Sequence, residues 1–510
     1  MRPARWLAAA AASLAVCATA CTSASVPTTP TTPATGRPPA APATLAGYYA
    51  QRPHWQPCDV GFQCAHLVVP FDYAKPAGPR FTLPVIKLPA ADPAQRIGAL
   101  VINPGGPGGS GVQYALGARS EFPAAVLDRF DIVGFDPRGA GGSHPALNCM
   151  TGPQLDTFFA TDDEPSDAAQ LTRVVAESKL FDAQCERNSA ALLPYVGTQN
   201  AARDLDVLRS ALGESQLTYL GKSYGTYLGS WYAQMFPHRV RALVLDGAVD
   251  PDASSLQATI AQAVGFQGAF GSFAAWCLAS SGCPLGRGSV AAAQAKAEAL
   301  IARANSVPLA SHLGDGQVAD GAMLLYGVAD ALYSRAFWPI LRTDLASAFA
   351  GDGTGLLELA DQLYGRMPNG TYSTLANAVT AIDCLDRPWP RSLALWQAAA
   401  ATAERAAPMF GAAIVWGSLA CAYWPVPAYP LPRIRAAGAR PILVVGTLRD
   451  PATPYRWAQA LAGDLASGVL LGWNGDGHTA YGEGSACVNE IVDNYLINLA
   501  VPRSGTICQH

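Results

Sequence analysis

Charge is scarce in this chain of 510 residues: Asp, Glu, Lys and Arg make up only 14% of it, and the formal net charge is −4. Lysine is scarcer still, occurring only at Lys75, Lys87, Lys179, Lys222 and Lys296. A nucleic-acid partner would usually leave a basic stripe, and this balance argues against one. Cys-x-x-C spacing is absent from the twelve cysteines, which speaks against a zinc ribbon or a dithiol redox motif. No internal repeat of fixed period occurs, so a solenoid or propeller is not indicated. No metal site and no cofactor are expected. What is plentiful is apolar surface, at 50% of residues, together with 49 glycines and 40 prolines. That supply can build a large buried core, either one big domain with an insertion or two to three average ones.

The first 21 residues read as an export signal. Arg2 and Arg5 form a charged start, and Leu7 to Ala20 form an apolar run too short and too Ala-rich to be a good membrane span. Ala18-Thr-Ala-Cys21 resembles a bacterial lipobox, with Cys21 as the lipidated residue, although Leu is preferred where Ala18 stands. Simple cleavage after Ala20 is the alternative. Residues 22–46 are rich in Ser, Thr, Pro and Ala with hardly a large apolar side chain, a composition that forms a tether and not a core. With Cys17 and Cys21 set aside, ten of the twelve cysteines remain, an even number suited to disulfides in an oxidising compartment. Connectivity does not follow from sequence; neighbours in the chain suggest Cys58–Cys64, Cys149–Cys185, Cys277–Cys283, Cys384–Cys421 and Cys487–Cys508.

From Ala65 onward short apolar runs alternate with helical patterns. Arg80–Leu88, Ala99–Asn103, Phe130–Phe135, Leu217–Leu220, Arg241–Leu245, Pro441–Val445 and Val469–Trp473 read as strands, and helices are expected after several of them. Such alternation predicts a mostly parallel sheet with helices on both faces. Between residues 251 and 435 the texture turns helical and Ala-rich, as in Val290–Asn305 and Met323–Ser334. An inserted helical cap over the carboxyl ends of the strands is the expected result, with 47–250 and 436–510 as the core.

Leu217-Thr-Tyr-Leu-Gly-Lys-Ser-Tyr-Gly225 contains G-x-S-x-G between an apolar strand and an apolar helix. A serine hydroxyl becomes a useful nucleophile on a tight, exposed turn beside a base and an oxyanion hole, and this elbow of the α/β-hydrolase fold supplies that turn at Ser223. Asn103-Pro-Gly-Gly-Pro-Gly-Gly-Ser-Gly111 follows another strand. A run of glycines loses much chain entropy on folding unless the backbone must approach something closely. Backbone N–H groups of Tyr224 and of Gly105, or its neighbour Gly106, are the expected oxyanion donors. A phosphate-cradling loop fits less well, because the Walker lysine is missing and the prolines remove donors. Among seven histidines only His478 lies in a Gly-rich loop directly after the last strand recognised, which makes it the expected base. The acid that orients it should end an earlier strand. Asp450 is preferred over Asp246, since Ser, acid and His then follow the chain order usual for this fold. Thr453 is placed to support Asp450; its alternative role is an N-cap before Pro454.

These motifs, with Phe130-Asp-Ile-Val-Gly-Phe-Asp-Pro-Arg-Gly139, Leu245-Asp-Gly247, Trp276-Cys277, Cys283-Pro284 and Cys508, resemble the tripeptidyl-aminopeptidase-like serine peptidases of high-GC Gram-positive bacteria, relatives of prolyl iminopeptidase. The resemblance runs over nearly the whole mature chain and implies a triad of Ser223, Asp450 and His478, a peptide substrate and an exported enzyme. Lys222 departs from the family, which often has an aromatic residue there. In the cap, Ala381-Ile-Asp-Cys-Leu-Asp386 matches a family pattern that ends in an acid. Asp386, in preference to Asp383, is therefore expected to hold the substrate's free ammonium; a surface ion pair with Arg387 is the alternative. An esterase acting on envelope lipids is the main rival function, because the same triad cleaves esters and amides.

Overall fold

The computed structural model describes residues 44–161, 164–430 and 433–509. The expected signal, Cys21 and nearly all of the tether lie outside them. The first described helix, Leu45–Tyr49, overlaps the expected tether by Leu45 and Ala46 and buries Tyr48.

Ten strands make one sheet: β1 (Gln56–Asp59), β2 (Phe62–Pro70), β3 (Arg80–Leu88), β4 (Gly98–Asn103), β5 (Phe130–Phe135), β6 (Leu217–Lys222), β7 (Val240–Asp246), β8 (Ile442–Arg449), β9 (Gly468–Asp476) and β10 (Thr506–Cys508). Their spatial order is β1-β2-β3-β5-β4-β6-β7-β8-β9-β10. Pairs from β5 through β10 are parallel, whereas β1, β2 and β3 join antiparallel at one edge. Every residue of β4, β5 and β6 is buried. Both faces are covered because side chains alternate: Leu100, Ile102, Ile132, Leu220 and Val244 fill one core, and Val101, Val133, Tyr219, Leu243 and Leu245 the other. This is the α/β-hydrolase arrangement expected from the sequence, with an antiparallel edge and a C-terminal strand, β10, that went unread. At three residues β10 is too short to show a period, and Cys508 ties it to Cys487.

Between β7 and β8 the chain runs through helices from Ser255–Leu278 to Gly411–Gly417, the expected helical cap. Their sequence explains them. Phe266, Phe270, Phe273 and Cys277 bury one stripe of the first. Ala293, Ala297, Leu300 and Ala304 do the same for Val290–Ser306, whose N-cap Ser289 accepts from Ala292 N. One helix outside this insertion also packs there: Ala168–Ser189, capped by Asp167, sends Val174 into a cluster with Trp396, Val415 and Leu419. All five cysteine pairs suggested by chain neighbourhood are joined.

Two residues of the Phe130–Gly139 motif turn out to be struts. Arg138 is wholly buried, yet its guanidinium donates to both Asp204 oxygens and to the carbonyls of Pro70, Phe71 and Tyr195. A charge so fully partnered escapes the penalty of an isolated one. Asp136, two residues earlier, accepts from Ser110 Oγ at 2.6 Å, Val112 N at 3.1 Å and Gly142 N at 2.7 Å, fastening the glycine loop after β4.

Candidate active site

The turn from β6 into helix Tyr224–Met235 holds Ser223 at φ 56° and ψ −125°, a left-handed conformation a side chain rarely adopts. The neighbouring glycines permit it. A Cβ on Gly221 would stand 2.4 Å from Gly225 O, and one on Gly225 would stand 2.9 Å from Asn103 O. Ser223 N donates to Asp246 O at 2.8 Å, which pins the turn to β7.

The glycine loop lies against this elbow. A Cβ on Gly105 would come within 2.7 Å of Lys222 O and 2.9 Å of Ser223 Cβ, so only a glycine fits. Its N–H, however, already donates to Asn103 Oδ1 at 3.0 Å. Gly106 N–H has no protein acceptor among the described residues, and Gly106, not Gly105, lines the cavity beside Ser223 and Tyr224. Tyr224 N opens the helix, where amides have no partner within the helix. Of the two glycines left open by sequence, geometry therefore favours Gly106.

Asp450 directly follows β8. Its Oδ1 accepts from Ala452 N at 2.9 Å and Thr453 N at 2.8 Å, and its Oδ2 from Thr453 Oγ1 at 3.1 Å and Thr479 N at 3.2 Å. His478 Nδ1 lies 2.9 and 3.1 Å from the two oxygens. A carboxylate only accepts, so the facing proton sits on Nδ1 and Nε2 keeps its lone pair. Nε2 is buried and has no hydrogen-bond partner among the described residues. The structure thus joins Asp450 to His478 and holds Ser223 in the adjoining cavity without a hydrogen bond between serine and imidazole. Catalytic hydrogen bonds are commonly long before substrate binds. Thr453 does not cap the next helix, whose N-cap position is Pro454; its amide and hydroxyl both serve Asp450, and its Oγ1 is 3.3 Å from His478 Nδ1. Asp246, the competing acid, makes no hydrogen bond to the imidazole and accepts backbone amides of Ala480 and Tyr481 instead.

A cavity of ≈ 160 Å³ opens at Ser223, with Trp389, Trp457 and Gln262 in its wall and Asp383 and Asp386 at one side. Asp386 ends helix Leu375–Asp386, which Cys384 bonds to Cys421. It is buried, accepts Thr198 N at 2.8 Å, and hydrogen-bonds Thr198 Oγ1, which also bonds Tyr224 Oη. Burial pushes its carboxyl up to about 7, against the Thr198 donors and Arg387. Asp383 is likewise raised to about 7, first by the protein around it and then by Asp386. Its side chain keeps solvent access, though, so the shift has more consequence at Asp386. The alternative of a surface ion pair fails: Arg387 donates to Ala253 O at 2.6 Å and Asp250 O at 2.9 Å. Sequence reasoning missed Thr198 and the aromatic wall, which carry no motif.

Residues 407–508 match the family model described as TAP-like protein. Over 472 residues the chain is 38% identical to a protein named serine protease Hip1 from Mycobacterium tuberculosis, covering 89% of this chain and 90% of that one. It is also 38% identical over 458 residues to a protein named carboxylesterase B from the same species, covering 88% and 86%. Identity to a tripeptidyl aminopeptidase of Streptomyces coelicolor is 33% over 474 residues, covering 89% and 85%. With this extent of likeness around a serine elbow and a histidine–aspartate pair, the chain belongs to the TAP-like serine hydrolases of the α/β-hydrolase superfamily.

Proposed function

We propose that this protein is an exported serine exopeptidase that releases short N-terminal peptides through an acyl-enzyme on Ser223. In this reading His478 Nε2 takes the Ser223 proton as Oγ attacks the scissile carbonyl carbon. Tyr224 N–H and Gly106 N–H hold the oxyanion, and Asp450, fixed by Thr453, orients the imidazole. The imidazolium then gives its proton to the departing amine as the C–N bond breaks, and water activated by the same histidine frees the N-terminal fragment. Asp386 receives the fragment's ammonium.

The observation that carries the peptidase reading is Asp386 itself, a buried carboxylate in the same cavity as Ser223. An ester-cleaving enzyme has no need of an anion there, and burying a carboxylate is costly even with the Thr198 donors beside it. The rival esterase reading draws on the relative named carboxylesterase B. Tripeptidyl and aminoacyl chromogenic amides beside short-chain esters separate the two. Ser223→Ala should abolish turnover and fluorophosphonate labelling while the fold persists; residual turnover above about 0.1% of wild type would exclude the acyl-enzyme. Five disulfides accord with export. Lipidation of Cys21, holding the enzyme at the outer face of the membrane, rests on sequence alone; the mass of the mature N-terminal peptide tests it.

A further inference from the structure

Asp246 touches both halves of the site without touching the imidazole. Its backbone carbonyl accepts the amide of Ser223 at 2.8 Å. Its carboxylate accepts Ala480 N at 3.0 Å with both oxygens and Tyr481 N at 2.8 Å with Oδ2, just beyond His478 in the chain. The side chain is fully buried, away from bulk solvent. On β6, Lys222 is the register partner of Asp246 and adjoins Ser223. Its ammonium pairs with Glu121 Oε1 at 2.5 Å and stands 4.0 Å from Glu483 Oε1, with the Tyr114 ring 5.9 Å away. From the cap side, Tyr333 O accepts His478 N at 2.7 Å and Ser334 bridges Gly477. The histidine loop is therefore gripped by the cap at one end and by Asp246 at the other.

We propose that Asp246 is a positioning residue whose ionised carboxylate clamps the His478 loop onto the nucleophile elbow, that Lys222 keeps it ionised, and that protonation of Asp246 releases the base from register. The proposal rests on His478 being the catalytic base. A proton on Oδ1 takes away one of the two contacts of Ala480 N–H and leaves Oδ2 to receive both amides without the negative charge that strengthens such bonds, so the hold on the loop weakens. Burial pushes the Asp246 carboxyl up to about 6, opposed by Lys222, the two amides and His478. Glu121 and Glu483 offset the Lys222 charge; Tyr114, His478 and Asp450, whose Oδ2 accepts Thr479 N at 3.2 Å in the same loop, are the other titratable groups facing the clamp. The acid limb of activity would then report Asp246 as well as the imidazole.

The test is the pH dependence of kcat/KM for wild type, Lys222→Met, Asp246→Asn and the double variant, each with a folding check by circular dichroism. Lys222→Met should move the acid limb upward by about 0.5 unit or more, with kcat lost near pH 6 and largely restored near pH 8. Removing the cation also acts directly on His478, so the double variant decides. If the clamp is real, Lys222→Met moves the limb clearly less once Asp246 is Asn, by its direct effect on the imidazole alone. An equal displacement in both backgrounds, or none in wild type, overturns the proposal. Should Asp246→Asn not fold, hydrogen exchange of wild type across residues 477–484, corrected for intrinsic rates, replaces it. Protection should fall as pH drops through about 6 and fall earlier in Lys222→Met; unchanged protection in both overturns the clamp. Labelling by a fluorophosphonate at pH 8, blocked in Ser223→Ala, reports separately on the acyl-enzyme mechanism.

Discussion

Replacing Asp386 by Asn removes a charge and almost no volume, so it asks directly whether this carboxylate recognises an ammonium. The residue is 6% exposed. Breaking one side of a buried, hydrogen-bonded charge pair costs about 2–5 kcal/mol, or about 30-fold to several thousand-fold. The low end of that range, a fall of about 30- to 100-fold in kcat/KM for a free tripeptide amide, is the expected effect. An N-acetylated tripeptide amide, which has no ammonium to lose, should change no more than a fewfold. The ratio of the two substrates also has a defined pH course. Asp386 in the free enzyme is raised to about 7 by burial, so as pH falls through that value the anion disappears and the preference for a free N-terminus declines. Steps common to both substrates cancel in the ratio. The assay is paired initial rates from pH 5 to 9 on wild type and Asp386→Asn. A wild type indifferent to acetylation would refute the aminopeptidase reading, and a mutant that keeps the wild-type ratio at every pH would clear Asp386 of the role.

Three further outcomes follow from named contacts. Asp182 is buried with neither carboxylate oxygen hydrogen-bonded among the described residues, and burial raises it from 3.8 to about 8 against Arg391. The folded state then retains a proton that the unfolded chain releases, so this group subtracts stability as pH rises from about 4 to 8. Asp182→Asn should raise the thermal midpoint at pH 8 by a few degrees and leave it unchanged at pH 4; equal effects at both would refute it. Opening Cys384–Cys421, with a separation of 37, frees a loop worth about 4 kcal/mol on chain-entropy grounds. It should lower the midpoint and raise KM for free-amine substrates more than for acetylated ones, as paired rates would show. Thr453→Val removes a donor to Asp450 and should cut kcat about 10- to 100-fold with KM little altered, measured at saturation.

How far these features could be read in advance depended on how local they are. Strand, elbow and helix around Ser223 occupy one contiguous stretch in which two glycines and an apolar run state the geometry, so the turn was legible without coordinates. The same holds for the disulfides, whose partners lie close in the chain, and for the Ala-rich cap helices with their regular stripes. Choosing between Asp450 and Asp246 rested on chain order. Geometry adds the reason they differ: one faces the imidazole and the other the amides behind it.

By itself the sequence determined most of the elements, the serine elbow and the histidine loop, because backbone propensity and side-chain period act over a few neighbouring residues. Tertiary structure decided which glycine N–H remains free, what Thr198 and Asp386 do for each other, and why a lysine next to the nucleophile is tolerated. Lys222 is paired because Glu121, distant in the chain, comes to 2.5 Å from it. Asp386 meets Ser223 only because a cap inserted between β7 and β8 folds back over the strand ends. Such pairings depend on strand order and on whether buried charges find partners, which are free energies of the assembled fold that no local stretch of chain encodes.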